Sequence, residues 1–106
     1  MDGYVKVGTL SDFPDGELTS IDIGDAEIVV ARVGDQLFAL DNLCSHAESW
    51  LDMGRLHPVS YEVECPLHEG RFDLRTGAAT HLPCREPVRS WPVRIDGDDV
   101  LIAGTA

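Results

Sequence analysis

The chemistry-bearing residues of this chain fall in two short runs. One is Cys44-Ser45-His46 and the other is Cys65-Pro66-Leu67-His68. They read as C-x-H, a gap of 18 residues from Ala47 to Glu64, then C-x-x-H. A Cys and a His in each of two runs make an S₂N₂ donor set. Thiolate and imidazole together suit zinc or an iron–sulfur centre. The bland alternative is a buried free Cys, packed as a small hydrophobe, with scattered His. Two matched Cys/His pairs weigh against it.

The distribution of donors separates the two metals. Classical zinc fingers take like ligands from one element, C-x₂₋₄-C and then H-x₃₋₅-H. Here each run offers one Cys and one His, and C-x-H is tighter than zinc motifs use. A Rieske [2Fe–2S] centre requires this mixture, with two Cys on one iron and two His on the other. Each run then gives one ligand to each iron, and the cluster ties two loop tips together. A zinc-stabilised interaction module is the alternative.

The elements that must hold these loops are strands. The 106 residues allow one domain, 1–106, with a modest core to which a bound metal can add stability. A hydrophobic fraction of 43% with 25% charged residues is that of a folded globular chain. Strand signals run over Tyr4–Val7, Leu18–Ile23, Glu27–Val33 and Gln36–Asp41, with Asp15-Gly16 in a loop and Gly34-Asp35 as a hairpin turn. Trp91–Asp96 and Val100–Ala103 flank Gly97-Asp98 in a second hairpin. Between these β-rich ends, a segment of about 43–87 carries all three Cys and all four His. Short strands are expected there at Tyr61–Glu64 and Arg71–Leu74, with a turn at Thr76-Gly77. The helix signal is weak throughout, one turn at His46–Asp52 at most. The expected fold class is all-β: an antiparallel β frame with an inserted loop-rich cluster-binding subdomain.

Charge excludes several functions. Eight Lys and Arg against 19 Asp and Glu give −11 with His neutral. Nucleic acid and anionic membrane surfaces both need clustered basic residues. The excess is uneven, −7 over residues 1–43 but −3 over 44–84. It favours encounter with a basic protein partner. No stretch approaches the roughly 18 apolar residues of a membrane span. No basic region with an apolar run opens the chain, and three Cys are too few for a disulfide scaffold, so a cytoplasmic setting is expected.

With these residues in view, the sequence resembles the bacterial Rieske-type ferredoxins of aromatic-ring-hydroxylating dioxygenase systems. The likeness spans nearly the whole chain, including Phe72-Asp73-Leu74-Arg75-Thr76-Gly77 and Pro83-Cys84-Arg85-Glu86-Pro87-Val88. It implies one Rieske [2Fe–2S] cluster per chain, with Cys44 and Cys65 on one iron and His46 and His68 on the other. It implies a third loop, at Pro83–Pro87, covering the cluster. Cys84 is then a nonligating Cys, read as a small buried hydrophobe. The implied function is one-electron transfer by a monomer. A flavin-type reductase donates, and a terminal oxygenase acting on biphenyl, carbazole, cumate or a similar arene accepts. The chain itself is then not an enzyme. Alternatives are a Rieske carrier for another oxygenase or for iron–sulfur assembly. A nitrite reductase small subunit is disfavoured by four intact ligands.

Two departures from the family pattern stand out. The Ala47–Glu64 connection is longer than usual, with an insertion expected near His57-Pro58, and Glu69 stands where Gly commonly follows the ligand His. Absences inform as well. Respiratory Rieske proteins tie their loops by a disulfide, at positions that here read as Ser49 and Leu67. They also place Ser and Tyr hydroxyls against the cluster, where this chain has Gly70 and Phe72. Fewer hydrogen bonds to cluster sulfur leave the added electron less stabilised, so a potential on the order of −150 mV is expected. His57 and His81 read as solvated loop residues, and Arg71 and Arg75 as surface charges free to bond the acidic frame or a partner. Trp50, Leu51, Leu67 and Pro83 are expected either to pack the subdomain or to rim the cluster.

Overall fold

The computed structural model describes residues 3–44, 49–67, 69–82 and 84–103. Among them, eleven strands form three antiparallel sheets. The first, in spatial order, is β1 (Tyr4–Thr9), β11 (Asp99–Ala103) and β10 (Val93–Asp96). The second is β2 (Leu18–Ile23), β3 (Ala26–Val33), β4 (Gln36–Asp41) and β9 (Ser90–Trp91). The third is β5 (Arg55–His57), β6 (Glu62–Glu64), β7 (Arg71–Asp73) and β8 (Ala79–His81).

The apolar run Ile28-Val29-Val30-Ala31 explains how the layers stack. A strand solvated on one face alternates, whereas a strand covered on both faces reads as continuous hydrophobe. Ile28 and Val30 join one core cluster with Phe13, Trp91, Val100 and Ile102. Val29 and Ala31 join the other, with Cys44, Val63, Cys65, Phe72 and Cys84. The second sheet is thus the central layer, shared by the first sheet and the cysteine-bearing segment.

Both expected hairpins form, closed by the Val33↔Gln36 and Asp96↔Asp99 pairs. The expected strand Trp91–Asp96 does not run through. Pro92 has no N–H for a ladder, and it divides β9, paired to β4, from β10, paired to β11. It is where the chain crosses from the second sheet to the first. Within the 43–87 segment, β5 and β8 complete a sheet around the two expected strands, and most of its other described residues are turn or loop, as expected. Three residues, Arg-Leu-His or Ala-Thr-His, are too few to show a period of two. The expected turn at His46–Asp52 falls partly outside the described residues. The structure places a three-residue 3-10 turn at Leu51–Met53 instead.

Candidate metal centre

The two Cys-bearing loops are closed in the same way. At the end of β4, Leu43 bridges Trp50, and the Cys44 amide donates to the Ser49 carbonyl at 2.8 Å. At the end of β6, Glu64 pairs with Arg71, and the Cys65 amide donates to the Gly70 carbonyl at 2.7 Å. Each Cys therefore opens a loop that closes five residues later. The sequence puts one His inside each, at 46 and 68. Those two His lie outside the described residues, as does Pro83.

Asn42, buried beneath the first loop, fixes its base. Its amide nitrogen donates to Asp52 Oδ1 and its carbonyl oxygen accepts from the Asp52 amide, both at 2.8 Å, while the Leu51 amide donates to the Asn42 carbonyl. Sequence reasoning missed this residue. An Asn ten positions from its carboxylate partner leaves no local signal.

Three thiols meet under the loops. Cys44, Cys65 and Cys84 are 3%, 0% and 3% exposed, and none of the three is in a disulfide. Cys84 Sγ lies 3.8 Å from Cys44 Sγ. Burial, then the hydrogen bond and charge of Cys44 and the charge of Cys65, push the Cys84 thiol up to about 12. A side chain on Gly70 would fall on the Cys84 sulfur, so the second loop packs against Cys84 only because residue 70 has none. Two dry thiols, opening loops of equal length that each contain a His, fit a Rieske cluster. Cys84 is buried, as the sequence suggested.

Glu69 adopts φ +61°, in the left-handed region. That conformation costs an L-residue about 1–2 kcal/mol, and glycine escapes it. The position where the family commonly has Gly is thus strained here by an exposed Glu. Glu69→Gly should stabilise the protein by about 0.5–1 kcal/mol after its entropic cost, read as a melting temperature several degrees higher.

The other sequence-singled residues are located by the third sheet. His57 is not a solvated loop residue; it ends β5, and its Nε2 lies 2.6 Å from Glu64 Oε1. His81 is half-exposed at the end of β8, with Nδ1 3.6 Å from Glu62 Oε2. Arg71 pairs with Glu62 at 3.2 Å and Glu64 at 3.6 Å, acids of its own sheet and not of the frame. Arg75 pairs with Asp73 and lies 5.1 Å over the Tyr61 ring. Burial acts to raise the Glu62 carboxyl. Hydrogen bonds from Thr80, Ser60 and Arg71, with the charge of His81, outweigh burial and hold the pKa below its ordinary 4.5. A depressed carboxyl contributes stability that is complete above its unfolded pKa and lost as pH falls through its folded one. Chemical denaturation should therefore show stability falling below about pH 4.5, and Glu62→Gln should flatten that part of the profile.

The apolar residues divide. Leu51 is fully buried, whereas Leu43 and Trp50 beside the first loop, Leu67 in the second, and Leu82 before Cys84 are exposed.

Comparison with known proteins agrees with this geometry. Residues 3–92 match the Rieske [2Fe-2S] domain. The ferredoxin of carbazole 1,9a-dioxygenase from Nocardioides aromaticivorans IC177 superposes with a TM-score of 0.93. It is 51% identical, over 96% of this chain and 98% of that one. A chain in the complex of reduced oxygenase and oxidized ferredoxin of carbazole 1,9a-dioxygenase gives a TM-score of 0.88 at 32% identity, over 98% and 95% of the two chains. The anthranilate 1,2-dioxygenase ferredoxin subunit of Burkholderia cepacia is 43% identical over 84% of this chain and 81% of its own. A domain match over most of the chain, relatives of this identity and coverage, and two buried thiols on matched loops lead to one assignment: the chain belongs to the Rieske [2Fe–2S] ferredoxin family.

Proposed function

We propose that this protein is the one-electron carrier between a flavin-type reductase and a terminal aromatic-ring-hydroxylating dioxygenase, in the cytoplasm and as a monomer. The observation that supports it best is the placing of two buried Cys under loop tips whose neighbours are exposed and apolar. In this reading Cys44 and Cys65 hold one iron, His46 and His68 hold the other, and residues 43–87 form the cluster-binding unit. The cluster supplies the storage of one electron. The chain supplies the rest. Cys44 and Cys65 keep the thiolate side dry, and Asn42 and the two amide–carbonyl closures hold the loops in place. Leu43, Trp50, Leu67 and Leu82 give a partner an apolar contact that sheds water, small enough for a transient complex of less than about 1,200 Å². The relatives named as dioxygenase ferredoxins support the partner pair.

Reconstituted turnover with a reductase and an oxygenase of this class tests the assignment. The purified protein should carry about two irons and two sulfides, and product should form only when it is added. A colourless zinc protein would sink the reading. The net charge of −11 makes a further expectation. The Debye length falls from about 30 Å at 0.01 M salt to about 3 Å at 1 M, so electron transfer to the oxygenase should slow on the order of tenfold over that range. Stopped-flow rates independent of salt would remove charge from the explanation.

A further inference from the structure

Cys84 is the thiol that the proposed ligand set leaves unused. Its sulfur is nonetheless held in place on several sides. It sits 3.8 Å from Cys44 Sγ and takes the room that any side chain on Gly70 would need. A Cβ there would also stand 3.0 Å from the Cys84 Cβ and 3.1 Å from its amide nitrogen. Gly70 is tied in turn to Cys65, whose amide it accepts at 2.7 Å. Phe72 and Leu74 close the same apolar cluster, and Cys84 is 3% exposed.

Between two free thiols the direction of the sulfur–sulfur contact is open, since either can donate. Metal binding closes that choice. As an iron ligand Cys44 is a thiolate with no proton to give. Cys84 is not coordinated, and an ordinary thiol keeps its proton at neutral pH. We propose that Cys84 tunes the cluster by donating an S–H···S hydrogen bond to the Cys44 thiolate. A donor to ligand sulfur draws charge off the ligand and favours the reduced state, which carries one more negative charge. Thiols donate weakly, but a dry site strengthens what they do. Cys84 is thus a positioning residue that acts through Cys44, and the inference rests on Cys44 being a ligand.

The test uses the holoprotein and two variants, Cys84→Ala and Cys84→Val. Ala removes volume and Val adds it, while both remove the donor. Iron, sulfide and the visible spectrum are measured first, then the midpoint potential by voltammetry. The iron–thiolate stretching bands are then recorded by resonance Raman in H₂O and D₂O. Both variants should retain the cluster, shift to lower potential, and lose part of the D₂O sensitivity of those bands. The Cys44 and Cys65 amides do not supply that sensitivity, because they bond the Ser49 and Gly70 carbonyls. Unchanged potentials, opposite shifts in Ala and Val, or unaltered D₂O sensitivity would each overturn the proposal. Should neither variant fold, wild-type bands that do not move in D₂O overturn it alone. Iron lost from Cys84→Ala but kept by Cys44→Ala would overturn the ligand reading with it. An iron-loaded Cys84→Ala at the wild-type potential removes the tuning role and leaves the ligands standing.

Discussion

Cys65→Ala should leave the protein colourless, with iron and sulfide near zero per chain, and Cys44→Ala should do the same. Each Cys opens one of two loops, the first continuing from β4 and the second from β6, which belong to different sheets. A metal held by both is a cross-link, and its binding free energy is folding free energy. The holoprotein variant should therefore lose several kcal/mol, a large share of the roughly 5–15 kcal/mol typical of a domain. The metal-free comparison isolates that contribution. Without iron, Cys65→Ala removes one sulfur atom from a tight core and should cost only about 1–2 kcal/mol. Denaturant titrations of both proteins, with and without metal, measure the difference. His46→Ala and His68→Ala should also lose the cluster. Full iron in either Cys variant would remove that residue from the ligand set.

What was legible in the sequence was what local spacing can encode. The C-x-H and C-x-x-H runs marked candidate donors, and the Gly34-Asp35 and Gly97-Asp98 turns named two hairpins that the register confirms. The uninterrupted apolar stretch of β3 foretold a strand but not its two partners, because a sequence shows that both faces are covered and not by what. The third sheet was half visible. Its middle strands carry Val63 and Phe72 in the core, while β5 and β8 are joined to them by side-chain pairs across the sheet, His57 with Glu64 and His81 with Glu62. Pairings of that kind leave no mark within a three-residue window. The Asn42–Asp52 clamp and the seating of Cys84 on Gly70 were invisible for the same reason. Each joins residues that only the folded chain brings together.

The third approach of that kind yields the second large effect. Gly77 has φ +82°, and a Cβ placed on it would strike the carbonyl oxygen of Val88. That oxygen has little freedom to retreat. The Val88 amide donates to the Gly77 carbonyl at 2.9 Å, and the Gly77 amide donates to Asp73 at 2.8 Å. Gly77→Ala must therefore bear the left-handed strain of about 1 kcal/mol and, in addition, about 1–3 kcal/mol of overpacking against backbone. The total is about 2–4 kcal/mol, which should lower the melting temperature by about 10–20 °C in a domain of this size. Gly97→Ala provides the control. Gly97 has φ +62° in the β10–β11 turn, with no atom within 4 Å of an added Cβ, so the strain acts there without the collision. It should cost about 1 kcal/mol. The two variants also differ in what they disturb. Val88 shares a core cluster with Cys44, Cys65 and Cys84, whereas the Gly97 turn lies in the first sheet, away from it. On heating, Gly77→Ala should therefore release iron well below the wild-type temperature, and Gly97→Ala should release it close to its own small shift in unfolding. Equal losses in the two variants would mean that the close approach of Gly77 to Val88 does not hold the third loop segment against the cysteines.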